Sequence, residues 1–320
     1  MNAPTFDRRL IGLAIIPVAI IGLVYVVIHS AGQSGIVFTT LDIPPFPDVG
    51  VAVAEAKLRY FWLSALVLLT AVSLAVAASS ALSLLRDAPR RDRVLMFGLV
   101  AMVWVAIAVP EQSSLNDHWY VYMGDGLFEG VFSRVSAGSI TALQALNIGL
   151  DVSNLATVAA LLMLVAGFLT TLTQAPANAT KQQQADHLAD AIARQRTLLQ
   201  HAALLCVSFI LSMLSWMYWP LPFMADAAME AAYRELLVGA AILHGVGFSL
   251  GVAAIYLPPA LVLRSRVERS AHLINEGEAG KAIQATIGSH PFDQFRQIAV
   301  MVSPAIVSML PVLKDIFQVT

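Results

Sequence analysis

Three carboxylates and one imidazole lie close together in the segment 111–151, within the stretch NDHWYVYMGDGLFEGVFSR. They belong to Asp117, His118, Asp125 and Glu129. Such groups are ligands for divalent metals, but this spacing matches no established zinc or calcium template. Aromatic residues alternate with them, as is typical of the lipid headgroup layer. We expect an interfacial, re-entrant or lid helix, with ligand or ion binding as the alternative. The sequence predicts no metal centre, no cofactor and no catalytic residue.

His244 is the only ionisable residue deep inside a predicted membrane span, in the stretch AAILHGVGFSLG. An intramembrane histidine can relay a proton or hold a metal. No carboxylate is predicted within the spans to work with it, and the glycines around it allow close helix approach. We therefore expect a neutral His244 hydrogen-bonded to a neighbouring helix, with a proton relay as the alternative.

Two distant segments, 44–66 and 220–242, repeat the same order of a Pro-rich turn, an Ala-rich stretch and Glu-Ala-x-x-Arg. Glu55 precedes Arg59 by four residues, and Glu230 precedes Arg234 by the same spacing. On a helix this order places opposite charges side by side and contributes about 0.2–0.5 kcal/mol per pair. Each segment predicts a turn, a short outer helix and a membrane span. A parallel duplication would explain the likeness, and so would two unrelated segments that enter the membrane in a similar way.

Pro258 and Pro259 interrupt the last apolar stretch near its inner end. Paired prolines remove backbone hydrogen bonds and kink a helix, as a gating hinge does. A static kink explains the pair equally well. We keep both residues as hinge candidates.

The sequence contains no motif of the common catalytic classes. It has no phosphate-binding loop, no dinucleotide-binding GxGxxG, no HExxH, no GxSxG and no CxxC. An ATPase, a common zinc protease and a thiol oxidoreductase are therefore disfavoured. The basic residues form small clusters beside apolar stretches, where lipid explains them, so we expect no nucleic-acid partner.

The elements that carry these residues are predicted to be membrane helices. The chain is 58% hydrophobic and 12% charged, against roughly 45–50% and 25% in soluble domains. Six stretches are long enough to cross a hydrocarbon core of about 30 Å. They are residues 10–29, 60–85, 94–110, 152–173, 202–219 and 236–263. The predicted fold is all-α, a polytopic helical membrane bundle of about six transmembrane helices with a small cytoplasmic helical layer.

The distribution of basic residues predicts the orientation of the bundle. Lys and Arg near span ends stay on the cytoplasmic side. With a cytoplasmic N-terminus, only Lys57, Arg59, Arg134 and Arg234 of the 19 basic residues lie outside. We predict a multi-pass protein of the cell (inner) membrane with both termini in the cytoplasm.

Three regions are predicted. Residues 1–263 form the bundle, residues 175–200 extend the fifth span into the cytoplasm, and residues 264–320 form cytoplasmic amphipathic helices. Within the last region, 298–313 is apolar but short and contains two prolines, which favours an interfacial or protein-packed helix over a seventh span.

Three function classes fit this architecture. The first is a non-enzymatic membrane protein, such as a sensor, assembly factor or effector, that works by self-association or by binding a membrane protein partner in the lipid bilayer. The second is a permease or channel for a small uncharged or lipophilic solute, lined by hydroxyl groups. The third is a membrane enzyme acting on lipid. For the permease or channel, the possible lining residues are Thr70, Ser73, Ser79, Ser80, Thr170 and Thr171.

Overall fold

Six helices of 18 residues or more make up most of the described chain. A computed structural model describes residues 12–13, 15–32, 48–87, 98, 127–128, 130–131, 136–137, 140–176, 178–224, 227–269 and 291–309. The helices are α1 (Ile15–Gly32), α2 (Val49–Asp87), α3 (Ala142–Thr170), α4 (Lys181–Tyr218), α5 (Ala227–Arg269) and α6 (Pro291–Ser308). A two-residue antiparallel pairing of β1 (Ser136–Ala137) with β2 (Ile140–Thr141) precedes α3, and a 3-10 turn at Leu221–Phe223 follows α4.

Four helices, α2, α3, α4 and α5, are long and apolar enough to cross a membrane. They correspond to four of the six predicted spans. The predicted first span corresponds to a shorter apolar helix, Ile15–Val24 within α1. The predicted third span, 94–110, lies outside the described residues except for position 98. The all-helical fold is therefore confirmed, whereas the count of six spans stays a prediction.

Helix α4 lies at the centre of the bundle. It packs against α2, α5 and α6, while α3 packs mainly on α2, and α1 packs on α5. The largest apolar core joins α2, α3, α4 and α5. Its buried members include Leu69, Leu164, Leu199 and Tyr256. Because both the core and the lipid are apolar, this packing is not visible as amphipathic periodicity in the sequence.

The start of α4 is fixed by a capping box. Thr180 accepts a hydrogen bond from the backbone N–H of Gln183 at 3.2 Å, and the Gln183 side chain accepts one from the backbone N–H of Thr180 at 3.0 Å. This reciprocal pattern satisfies two otherwise unpaired donors. From there α4 runs without a break to Tyr218, so the helix expected at 182–200 and the predicted fifth span are one element.

The C-terminal helix α6 runs antiparallel to α5. The Tyr256 hydroxyl donates to Gln297 Oε1 at 3.0 Å, and further along α5 the Ser249 hydroxyl accepts from the backbone N–H of Ala305 at 3.1 Å. A Cβ at Gly245 would overlap the side chain of Ser308, so only glycine permits this close approach. Helix α6 therefore packs along α5 as far as Gly245, near the middle of its apolar stretch.

Candidate functional site

The junction between the N-terminal end of α2 and the C-terminal end of α4 contains a buried carboxylate. Glu55 is 6% exposed, and its Oε1 accepts a hydrogen bond from Trp219 Nε1 at 2.9 Å. Arg59 Nε lies 3.2 Å from the same oxygen, one helical turn along α2. The helix spacing brings Glu55 and Arg59 together, whereas the chain turn after α4 brings Trp219 to them. Charge-assisted hydrogen bonds of this kind are stronger than neutral ones.

Four aromatic side chains pack below this carboxylate. Trp62 stacks on Trp219 with ring centroids 5.2 Å apart and planes 13° apart. Trp216 lies 4.9 Å from Trp62, and Phe128 meets Trp62 edge-on at 5.9 Å. Trp62 and Trp219 are 1% and 0% exposed. The rings thus exclude water from the Glu55 contacts and join α2, α4 and residue 128 into one packed junction.

The second pair, on α5, has the same spacing but different surroundings. Glu230 Oε1 accepts from Arg234 Nη2 at 2.7 Å and from Arg234 Nε at 2.9 Å. The two side chains are 41% and 51% exposed. The two pairs have the same spacing in the sequence, but in the structure the first is buried and the second is exposed.

His244 is buried and hydrogen-bonded within its own helix. Its Nδ1 donates to the carbonyl oxygen of Ala240 at 2.7 Å, and its ring lies 6.3 Å from that of Phe248. No group of three His, Cys, Asp or Glu side chains suited to a metal occurs among the residues that the structure describes. These contacts favour a packing role for His244; the proton relay has no further support in them.

Pro258 and Pro259 lie inside α5, which continues through them to Arg269. Pro259 is buried, and Pro258 is half-buried. Their role as a hinge stays a prediction.

The four polar residues of the predicted outer loop, Asp117, His118, Asp125 and Glu129, lie outside the residues whose side chains are described.

Most hydroxyl groups proposed as the lining of a solute path are used inside the bundle. Ser73 Oγ lies 3.0 Å from Thr157 Oγ1, which joins α2 to α3. Thr170 and Thr171 donate to backbone carbonyls three residues earlier, at 2.7 Å each. All three residues are at most 1% exposed. The Ser73 contact joins two helices, whereas Thr170 and Thr171 donate to carbonyl groups of α3 itself. Because all three hydroxyl groups are buried and bonded, they weaken the interpretation as a permease.

A polar layer at the opposite end of the bundle was not apparent from the sequence. Arg266 of α5 donates to the carbonyl of Leu172 at 2.6 Å, and His187 Nε2 of α4 donates to the carbonyl of Thr173 at 3.0 Å. Gln195 donates to Thr171 Oγ1 at 3.3 Å. Arg266 and His187 thus satisfy carbonyl groups just past the end of α3, which a helix terminus otherwise leaves unpaired, whereas Gln195 contacts a hydroxyl group there. The only sequence signal is the cluster of basic residues at the end of α5.

Next to this layer, α4 and α6 enclose a basic cleft. Its lining residues are Arg196, Leu199, Gln200, Arg296, Gln297 and Val300. From the sequence, the basic residues here are explained by membrane orientation and by contact with lipid.

Comparison of the chain with protein-family models, with curated proteins and with solved structures gives no match.

Proposed function

We propose that this protein is a non-enzymatic integral membrane protein that acts by self-association, with the exposed face of α2 as the surface between copies. The observation that carries this proposal is that much of α2 is left exposed. This helix buries 33% of its most apolar window, against 56% for α3. The face left open contains a regular alternation of large and small side chains.

The large residues on this face are Tyr60, Val67 and Leu74, spaced by seven and exposed by 67%, 68% and 55%. Between them, on the same face, lie the exposed residues Ser64, Ala71 and Ala78, also spaced by seven. Seven-residue spacing is the repeat that lets two helices supercoil with side chains of one entering gaps of the other. Small residues at such positions allow close approach in lipid. The stripe supplies both protrusions and gaps, so it is complementary to a second copy of itself.

Most of the candidate lining hydroxyl groups favour this proposal over a permease, because they are hydrogen-bonded inside the bundle. The Ser80 hydroxyl is the exception among them, since it is buried without a hydrogen-bond partner among the described residues. Buried Glu55 is likewise committed to an intramolecular contact with Trp219. The exposed Glu230 and Arg234 remain available for contact with headgroups or a partner at the outer surface.

The proposed topology keeps six spans, with the N- and C-termini in the cytoplasm of a cell with an inner membrane. Helices α2 to α5 supply four spans, and α1 with residues 94–110 supplies the other two. The inner ends of α4 and α5 then form the cytoplasmic layer, in which Ala185 packs against Val267. The concentration of basic residues at these ends supports the orientation.

Self-association is tested by energy transfer between fluorescently tagged copies in liposomes at varied protein-to-lipid ratio. Ala71→Leu combined with Ala78→Leu fills the gaps of the stripe, and we expect association to weaken about tenfold, the effect of a modest packing penalty. Gly239→Leu is the matched control. Gly239 is exposed on α5, and a Cβ there meets nothing within 4 Å. Unchanged association in the double variant, or a wild type that stays monomeric at all ratios, contradicts the proposal.

The orientation is tested separately with single cysteines and a membrane-impermeant thiol reagent on intact cells. Exposed Gln182 of α4 and exposed Ala228 of α5 are suitable positions, in a Cys206→Ser background. We expect labelling at residue 228 and protection at residue 182. The reverse pattern contradicts the orientation without bearing on self-association.

A further inference from the structure

One hydrogen bond sets the depth of α6 relative to α5. Helix α5 contains no Asp, Glu, Lys or Arg between Glu235 and Arg264, and Ser249 lies at the centre of this run. The Ser249 hydroxyl accepts a hydrogen bond from the backbone N–H of Ala305 at 3.1 Å. Helix α5 is long and apolar enough to cross a membrane. In a membrane that α5 crosses, the Ala305 backbone therefore lies near the middle of the hydrocarbon core.

The register of the two helices extends this depth along α6. Tyr256 bonds to Gln297, and a Cβ at Gly245 would overlap the side chain of Ser308. Eleven residues separate the two contacts on either helix, so both helices advance about 16 Å between them. This rise is about half of a hydrocarbon core of roughly 30 Å. Helix α6 thus follows α5 in depth and does not lie flat on the membrane surface.

The face of α6 that is not packed against protein is apolar. Arg296 is the last charged residue before Lys314, so the whole helix beyond it is uncharged. Residues on one face recur every three or four positions of a helix, and the exposed ones here follow that spacing. They are Ile298, Val302, Ile306 and Met309, which are 53%, 39%, 52% and 39% exposed. A contiguous exposed face of this kind is unfavourable in water, but it suits acyl chains.

The backbone groups that Pro304 disturbs are paired inside the protein. Proline has no N–H, so the Val300 carbonyl lacks the donor that an α-helix supplies four residues later. The Ser303 hydroxyl donates to this carbonyl at 2.8 Å. The next N–H along the chain, that of Ala305, bonds to the Ser249 hydroxyl of α5. In lipid such groups must be paired within the protein, and here they are. Pro304 therefore does not keep α6 out of lipid.

We propose that α6 is embedded in the membrane beside α5 and contacts the acyl chains of phospholipid through Ile298, Val302, Ile306 and Met309. This assignment revises the expectation of an interfacial or protein-packed helix at 298–313, because one face of α6 packs on protein and the other on lipid. Insertion of α6 requires that α5 crosses the membrane. It depends neither on self-association nor on the orientation of the bundle.

Spin-label spectroscopy of the full-length protein in phosphatidylcholine liposomes tests the insertion. Ile298→Cys, Val302→Cys and Ile306→Cys are made singly in a Cys206→Ser background, and each thiol carries a nitroxide. Collision of the nitroxide with oxygen, which concentrates in lipid, is compared with collision with a nickel chelate, which stays in water. We expect the ratio of oxygen to nickel collisions to rise along α6, with residue 306 about 12 Å deeper than residue 298.

Two further positions calibrate the depth. Leu250→Cys is on the exposed face of α5, next to Ser249, and should agree with residue 306 to within about 3 Å. Gln182→Cys is exposed at the start of α4 and should report water. Two results overturn the proposal. Equal access of the nickel chelate to residues 298, 302 and 306 places α6 at the surface, and poor access of both reagents to residues 302 and 306 shows that protein covers this face.

A second measurement needs no label. Ser303→Ala removes the donor to the Val300 carbonyl, and we expect amide hydrogen exchange between residues 298 and 306 to become about tenfold faster in nanodiscs, since an unpaired carbonyl is costly away from water. Ser308→Ala is the matched control. The Ser308 hydroxyl also donates within α6, but its acceptor, the Ala305 carbonyl, keeps the N–H of Met309 at 3.2 Å. Equal exchange in wild type and Ser303→Ala shows that water reaches the Val300 carbonyl, which contradicts insertion.

Discussion

The N-terminal ends of α2 and α5 have nearly the same local sequence, yet they are stabilised differently. On α2, Glu55 is 6% exposed and bonded to Trp219 as well as paired with Arg59. On α5, the Glu230 and Arg234 side chains are 41% and 51% exposed and contact each other. Helix geometry forms both pairs, but only tertiary packing buries one of them.

The two pairs show that the contribution of an ion pair to the free energy of unfolding depends on its burial. An exposed pair on one helix contributes a few tenths of a kcal/mol, because water screens it. A buried pair is different, since removal of one member leaves the other group desolvated and unpaired. Burial of the Glu55 pair depends on Trp219, which is 164 residues away in the chain.

The largest expected effect comes from Glu55→Ala. The change removes the acceptor of the Trp219 Nε1 hydrogen bond and the carboxylate that pairs with Arg59 in a packed junction. We expect a loss of about 3 kcal/mol in the free energy of unfolding. The measurement is reversible unfolding in mixed micelles, followed by tryptophan fluorescence. Glu55→Gln, which keeps an acceptor oxygen, should recover part of the loss, and a loss below about 1 kcal/mol for Glu55→Ala contradicts the assigned role.

The described pair at the N-terminal end of α5 is exposed, and this helix is packed instead against α6. Gly245→Val tests that packing. A side chain at Gly245 overlaps Ser308, so α6 must shift. Overpacking of this kind costs about 2 kcal/mol. Gly239→Val on the same helix is the control, since a Cβ there meets nothing within 4 Å. Protease sensitivity of the C-terminal region should rise in Gly245→Val alone. Equal sensitivity of both variants excludes close packing of α6 at Gly245.

The contribution of the indole N–H is smaller and is isolated by Trp219→Phe. The substitution keeps an aromatic ring next to Trp62 but removes the donor to Glu55 Oε1. We expect a loss of about 1.5 kcal/mol, the value for a hydrogen bond to a charged group. Combination with Glu55→Gln completes a double-mutant cycle. The two changes should be non-additive, since both residues share one hydrogen bond. Strict additivity shows that the loss arises from ring packing.

The helical elements themselves were predictable, because long uncharged runs have only one stable form in lipid. The predicted spans 60–85, 152–173, 202–219 and 236–263 fall on or largely within α2, α3, α4 and α5. The boundaries were less accurate, since α2 begins at Val49 and α5 at Ala227, before the predicted spans. The predicted outer helices are continuous with these spans. Because alanine-rich segments favour helix, each helix begins before the predicted start of its span.

The packing of the site residues was not predictable from local sequence. In water, a buried helix face is apolar and an exposed face is polar, so periodicity reveals the core. In lipid both faces are apolar, and the sequence does not tell Trp62, which is buried, from Phe61, which is 55% exposed. The same limit applies to Gly245 and Gly239, which look alike in the sequence but differ in whether α6 covers them.

The smallest expected effect is that of Glu230→Ala, the counterpart of the first substitution. The exposed pair with Arg234 should contribute at most about 0.5 kcal/mol to the free energy of unfolding. The same micelle assay measures it, and added salt should reduce the difference further because exposed charges are screened. A loss comparable to that of Glu55→Ala would mean that this pair is covered when the protein is folded. If that loss grew with protein-to-lipid ratio, another copy of the chain would cover the pair. The N-terminal end of α5 would then belong to the contact between copies, together with the face of α2.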